Sequence, residues 1–276
     1  MENVNVNEKV SSNKERVQSF TKVVNERLGE TRINNQGEVM FIVEYVNSED
    51  ITVQFKRTGE VVKCTYGNFV KGKVKSHFSA SVFGVGVTGV ESIRDENGEI
   101  FDSYKCWKEM LRRCYSAKYQ EKHPTYKGCS VYNYWLYYPN FKKWYDENYY
   151  EIDGKTSQLD KDILIKDNKV YSPNTSMFVP QFINKLFIKR QNDRGKLPIG
   201  VSYKKDSKKY VAHLSIYKDG KSTFKYLGCF DTPNESFEAY KQAKEEYIKE
   251  VADEYKDIIP VELYKAMYEY EVNIND

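Results

Sequence analysis

The sequence predicts an α+β fold: an N-terminal helix and small β module, a central ββα unit, and a C-terminal three-stranded antiparallel sheet plus helix. Three stretches carry that reading. Residues 38–66 are rich in β-branched and aromatic residues, in three short runs parted by Asn47-Ser48-Glu49 and Thr58-Gly59. Residues 158–187 read as a short strand, a polar turn, a second extended piece and an apolar set at helical spacing. Residues 198–255 read as three strands and a helix. Lys218-Asp219-Gly220 is a strong hairpin signal, and Thr232-Pro233-Asn234-Glu235 is a capping box with proline at the first helical position. At 276 residues the chain has room for two or three domains, and 40% apolar with 30% charged residues fits a soluble globular protein.

Taken in order, residues 1–11 are polar. In 12–28, Val17, Phe20, Val24 and Leu28 keep one face of a helix that Gly29 can end, completing an N-terminal helix over 1–30. That stripe is expected to pack on its own neighbour, with a dimer contact as the other use. Residues 31–99 form the β module, expected to be compact and barrel-like. It resembles small β-barrel repeats that precede nuclease-like domains in phage proteins, with no motif that fixes a ligand. Gly84-Val85-Gly86-Val87-Thr88-Gly89 spells G-x-G-x-x-G, but the polar VESIRDENGEI after it has no helical stripe to present amides to a phosphate. These glycines are read as turn formers, and a nucleotide site is rejected. Residues 102–117 place Tyr104, Trp107, Leu111 and Cys114 on the inner face of a helix, with Lys105, Lys108, Arg112 and Arg113 outside. Trp135, Phe141 and Trp144 have the bulk to close a small core.

In 158–187, Leu159, Ile163 and Ile165 are the apolar positions of the first strand, with Asp160 and Asp162 two residues apart on one face. Lys166-Asp167-Asn168 turns the chain, Val170 and Tyr171 begin a second strand, and Phe178, Phe182, Ile183 and Leu186 follow helical spacing beside Asn184. The order L-D-x-x-D, Y-S-P, F-V-P and Asn resembles the nuclease motif of phage HNH homing endonucleases. W-x-x-M-L-x-R-C, Y-x-G-C-x-V, Trp135 and then Phe141 with Trp144 resemble the scaffold that precedes it, so the resemblance spans about 100–187 and implies an HNH-like ββα domain over 100–190. It implies a divalent metal, Mg2+, held by Asp160 and Asn184, with Asp162 a further ligand. Lys161 stands where the family has its general-base histidine, and Thr175 takes the place of the central asparagine, with Asn174 one residue early. An ammonium has three donors and no acceptor, so Lys161 cannot take a proton unless burial depresses its pKa strongly. Arg112, Arg113, Lys142 and Lys143 are candidate phosphate contacts, or solvated charges.

After a linker at 190–197, the pattern G-V, A-x-L, L-G-x-F-D-T and an aromatic helix (Phe237, Tyr240, Ala243 and Tyr247) over 197–257 resembles the Apetala or ethylene-response-factor type of DNA-binding domain. In that type the sheet face away from the helix enters the major groove. Carried over by position, the face presents His213, Ser215 and Tyr217 from the middle strand and Lys221, Thr223 and Lys225 from the third, with Lys204, Lys205 and Lys208 at the rim for phosphates. Arginines and a tryptophan are missing from these strands, so bidentate guanine reading is not expected.

The net charge of +3 is unevenly spread. Residues 196–230 carry eight Lys and two Asp, and residues 233–276 twelve acidic residues against five Lys, including an acidic helical tail over 258–276. A basic segment beside an acidic one fits a nucleic-acid binder. The five cysteines form no C-x-x-C pair and no signal peptide is seen, which points to reduced thiols in a cytosol (a host cell's, for a phage protein). No apolar run is long enough for a membrane span. Three functions are weighed: a double-stranded DNA binder on a homing-endonuclease frame without its base; an active metal-dependent nicking enzyme using Asp160, Asp162 and Asn184; and a phage counter-defence factor that binds a host protein.

Overall fold

The structure, a computed structural model, describes the backbone of residues 5–188, 196–218 and 221–274 and the side chains of 16–188, 196–217 and 222–274. The fold is α+β, with helices and several small sheets. In chain order the elements are α1 (Asn5–Arg27), β1 (Thr31–Ile33), β2 (Val39–Asn47), β3 (Asp50–Phe55), β4 (Val61–Cys64), α2 (Tyr66–Val70), β5 (Ala80–Val82), β6 (Gly86–Val87), α3 (Asp102–Tyr115), α4 (Ala117–Lys122), β7 (Ser130–Val131), α5 (Tyr138–Asn148), β8 (Ser157–Asp160), β9 (Val170–Tyr171), β10 (Met177–Pro180), α6 (Gln181–Asn184) with a 3-10 turn at Lys185–Phe187, β11 (Val201–Lys204), β12 (Lys209–Lys218), β13 (Lys221–Phe230), α7 (Pro233–Tyr255) and α8 (Val261–Tyr268). Contacts group the chain into two compact units, Met1–Lys127 with Asn133–Lys143, and Gly128–Tyr132 with Trp144–Asp276. That division runs through 100–190 rather than at its ends. No helix among the described residues is long and apolar enough to cross a membrane.

In the first unit β1 to β4 form an antiparallel meander. Met40 and Ile42 from β2 and Ile51, Val53 and Phe55 from β3 point to one side, where α2 delivers Phe69. The sheet is open: among the described residues β4 does not pair back with β1, so the expected barrel is not closed. The apolar stripe of α1 is also not packed as expected. Val17 is 65% exposed, Phe20 and Leu28 are exposed and Val24 is half-buried. Periodicity says which face is apolar, not what covers it. The glycine motif is structural. Gly84 and Gly89 take positive φ, and a Cβ on Gly86 would come 2.5 Å from Leu111 Cδ1 and 2.9 Å from the Trp107 ring. That close approach seats Trp107, which is fully buried and donates through Nε1 to the Trp135 carbonyl at 2.7 Å.

The second unit holds the expected ββα element with different strands. β8 pairs antiparallel with β10, Asp160 opposite Met177, whereas β9 pairs in parallel with β7. Phe178 therefore belongs to a strand, and the helix begins only at Gln181, after Pro180. Ile163 and Ile165 lie beyond the strand, in the loop that follows Asp160. β11, β12 and β13 form an antiparallel sheet in sequence order. α7 starts on Thr232 through a complete capping box. Its first half packs Phe237 and Tyr240 on Val201, Ala212 and Leu214 of the sheet, and its second half packs Ile248, Val251 and Ala252 with Val179, Ile183 and Leu186 of the ββα element. One helix thus serves two cores. The tail over 258–276 is not a loose appendage, since Leu263 and Met267 of α8 are fully buried in the second of these cores and Val272 in the first. Of the expected linker at 190–197, residues 190–195 lie outside the described residues.

Candidate functional site

At the junction of β8 and α6 the second unit has a pocket of about 440 Å³ whose wall includes Asp160, Asp162 and Asn184. The three residues expected to hold a metal are therefore brought together. Asp160 closes β8 and its Oδ1 accepts the Asp162 and Ile163 amides at 2.9 and 2.8 Å, which curls the loop after the strand. Burial raises its carboxyl to about 6, with the charge of Asp162 adding to the rise and the two amide bonds opposing it. Asn184 donates to Gln158 Oε1 at 3.1 Å across the β8–α6 junction. Mg2+ is commonly held through one or two carboxylates and water, so Asp160 and Asp162 with the Asn184 amide suit it by donor type. Among the described residues no group of three or more His, Cys, Asp or Glu is placed to hold a metal ion.

Lys161 does not stand where a general base must. It follows the end of β8, is buried, and is absent from the pocket wall. Its Nζ donates to Asp162 Oδ2 at 2.9 Å and to the Asn168 carbonyl at 2.8 Å, while Asn168 Nδ2 donates back to the Lys161 carbonyl at 2.6 Å. An ammonium that donates to a carboxylate and a carbonyl has no lone pair to offer. Lys161 pins the 161–168 loop. The rest of the wall is largely apolar, and its charged members are Asp167, Glu269 and Glu271 with Lys166 as the one cation among the described residues. Glu269 and Glu271, supplied by the chain after α8, gave no signal in the motif itself.

The second candidate is the sheet. His213, Ser215 and Tyr217 do face away from α7, because Ala212, Leu214 and Ile216 between them pack toward it. Across the hairpin His213 pairs with Tyr226, Ser215 with Phe224 and Tyr217 with Ser222. Thr223 and Lys225 are opposite Ile216 and Leu214, on the helix side of the edge strand, which corrects their expected place on the outer face. Lys221 pairs with Lys218, and its side chain lies outside the described residues. The outer face instead carries Ser222, Phe224 and Tyr226. Phe224 is 75% exposed and Tyr226 66%. The rings of His213 and Phe224 meet edge to face at 5.9 Å, and the hydroxyls of Ser215 and Ser222 bond at 2.9 Å. Lys204 shares this face through its pairing with Lys209, and Lys205 and Lys208 are exposed in the turn beside it. The signal for the missed residues was the two-residue Asp219-Gly220 loop, since it makes 218 and 221 opposite each other and so fixes which residues share a face.

Arg112 and Arg113, the other candidate phosphate contacts, belong to the first unit. Both pair with Glu109, at 2.7 and 3.4 Å, and Arg112 lies over the Tyr119 ring. Their charges are already engaged at the end of α3. No protein-family model, no curated protein and no solved structure matches this chain.

Proposed function

We propose that this chain is a DNA-binding protein on an HNH-like frame that has lost efficient hydrolysis, and that it binds duplex DNA through the outer face of its three-stranded sheet. The observation that carries the reading is that face: His213, Tyr217, Phe224 and Tyr226 are open to solvent or half-open, and Lys204, Lys205 and Lys208 flank them. A ribbon of strands fits a major groove about 12 Å wide. Lysines at its rim supply phosphate contacts, and aromatic side chains contact base edges and thymine methyl groups. Without arginine, sequence preference rests on apolar and hydroxyl contacts.

Loss of hydrolysis is supported by the fate of Lys161. If Mg2+ is held at Asp160, Asp162 and Asn184, it would supply polarisation of a phosphate ester. The chain's own residues would have to take the proton of the attacking water, and Lys161 is buried off the pocket wall with its Nζ donating to Asp162 and to the Asn168 carbonyl. The test is duplex binding across a salt series, with and without Mg2+. Salt-dependent binding without strand cleavage fits the proposal. Metal-dependent nicking abolished by Asp160→Ala would replace it with the nicking-enzyme reading, and binding indifferent to salt would remove the DNA reading altogether.

A further inference from the structure

The face that α7 buries runs Phe237, Tyr240, Lys244, Ile248 and Val251. Steps of three and four put all five on one stripe, and the central member is a lysine. Lys244 is 9% exposed, and among the described residues it has no hydrogen-bond acceptor and no ion-pair partner. Burial alone pushes its ammonium down to about 8. A buried ammonium without a counter-charge is costly, and an apolar side chain of similar length would fill the position without that cost.

Lys244 opens on a pocket of about 530 Å³, large enough for a small organic ligand. Its polar wall consists of Lys185, His213, Ser215, Tyr217 and Ser222, and no carboxylate lines it among the described residues. Lys185 Nζ lies 5.7 Å from the centre of the Tyr217 ring, so a second cation and an aromatic face border the same space. A buried lysine without a counter-charge and a second lysine on one pocket wall suit an oxyanion, the Ser215 and Ser222 hydroxyls, bonded to each other, border the same space, and the adjoining aromatic surface suits a base.

We propose that this pocket binds the phosphate of a nucleotide unit, with Lys244 as its buried counter-charge. The nucleotide is either free or part of a nucleic-acid strand; the pocket shares His213, Ser215, Tyr217, Ser222 and Phe224 with the outer face proposed for duplex binding, and only the strand-phosphate case rests on that reading.

The experiment uses the full chain with adenosine monophosphate and, separately, a short DNA duplex. Acylation of Lys244, followed by peptide mass spectrometry, is expected to slow when a binding probe is present. Lys244→Met, which keeps length and removes charge, is expected to fold and to weaken the probe that binds by about tenfold or more, the loss of one charged hydrogen bond. Protection by the monophosphate alone assigns the site to a free nucleotide, and protection by the duplex assigns it to a strand phosphate when Lys244→Met also weakens the duplex; duplex protection with unchanged duplex affinity of the folded variant is shielding by the outer face and overturns the proposal. If neither probe protects Lys244 in the natural sequence, or if a folded Lys244→Met binds both probes as well as the natural sequence does, the proposal is overturned.

Discussion

On the Asn184 side of residues 181–188, Asp160, Asp162, Asp167, Glu269 and Glu271 surround Lys166. On the Lys185 side, Lys185, Lys244 and His213 line a pocket that has no carboxylate among the described residues. Consecutive helical residues point about 100° apart, so one short helical segment presents Asn184 to the first pocket and Lys185 to the second. The acidic side carries the residues that resemble a nuclease. The basic side carries nothing the nuclease motif would single out. A polyphosphate is repelled from the first unless cations accompany it and is drawn to the second without them. Resemblance to a catalytic motif and suitability for an anionic ligand thus fall on different sides of one element.

The strongest way to break this comparison is to weaken the shared wall. Ile183 is fully buried between the strands and α7, and Ile183→Ala is expected to cost about 2–5 kcal/mol. Denaturant melts would measure it, and ligand binding on the basic side should weaken with the fold. Unchanged stability would show that the segment is not a structural partition.

Asp160 sharpens the acidic side. Its carboxyl is raised from 3.8 to about 6, so the folded state holds that proton more tightly than the unfolded chain does. The resulting stabilisation is fully present below about pH 4 and is lost as pH rises to about 6. Asp160→Asn keeps an acceptor for the two loop amides and removes this titration. Stability at neutral pH is expected to rise by up to about 3 kcal/mol, with a flatter profile between about pH 4 and 6. An unchanged profile would mean that Asp160 is well solvated.

Smaller effects are expected at Lys161. Lys161→His leaves the Asn168 carbonyl without its donor and is expected to cost about 1–3 kcal/mol. No strand cleavage should appear with Mg2+, because the position is buried and absent from the pocket wall. Cleavage gained by this variant would contradict the assignment of Lys161 as a loop pin. On the sheet, Lys204→Ala, Lys205→Ala and Lys208→Ala together are expected to flatten the slope of log affinity against log salt by about 0.9 for each phosphate that the protein no longer neutralises. A slope equal to that of the natural sequence would remove these lysines from the interface.

Local signals were legible and long-range ones were not. The capping box at Thr232 to Glu235 is a contact between residues three apart, so four letters suffice to place the start of α7. The meander of 31–64 likewise follows from short turns between adjacent strands. By contrast, β9 pairs with β7 across some forty residues of sequence, and Val170-Tyr171 alone carries no trace of Ser130-Val131. Phe178 fits helical spacing with Phe182, yet its β-branched neighbour and Pro180 make a strand that the proline ends. Lys244 was readable as a member of the α7 stripe, but an inner face written as Phe237, Tyr240, Ala243 and Tyr247 steps past it. Glu269 and Glu271 reach the acidic pocket only through the packing of α8, which the sequence motif does not encode.

The central claim is that nucleic acid meets the face defined by the Asp219-Gly220 hairpin register, and two adjacent residues test it most directly. Tyr226 pairs with His213 on the outer face, and Lys225 pairs with Leu214 on the helix side. Duplex affinity should be measured at low and physiological salt for Tyr226→Ala and Lys225→Ala. Tyr226→Ala is expected to weaken binding by about tenfold, within the usual range for one aromatic–base contact, while Lys225→Ala leaves affinity close to that of the natural sequence. A large loss for Lys225→Ala with none for Tyr226→Ala would place the interface on the opposite side and contradict the account.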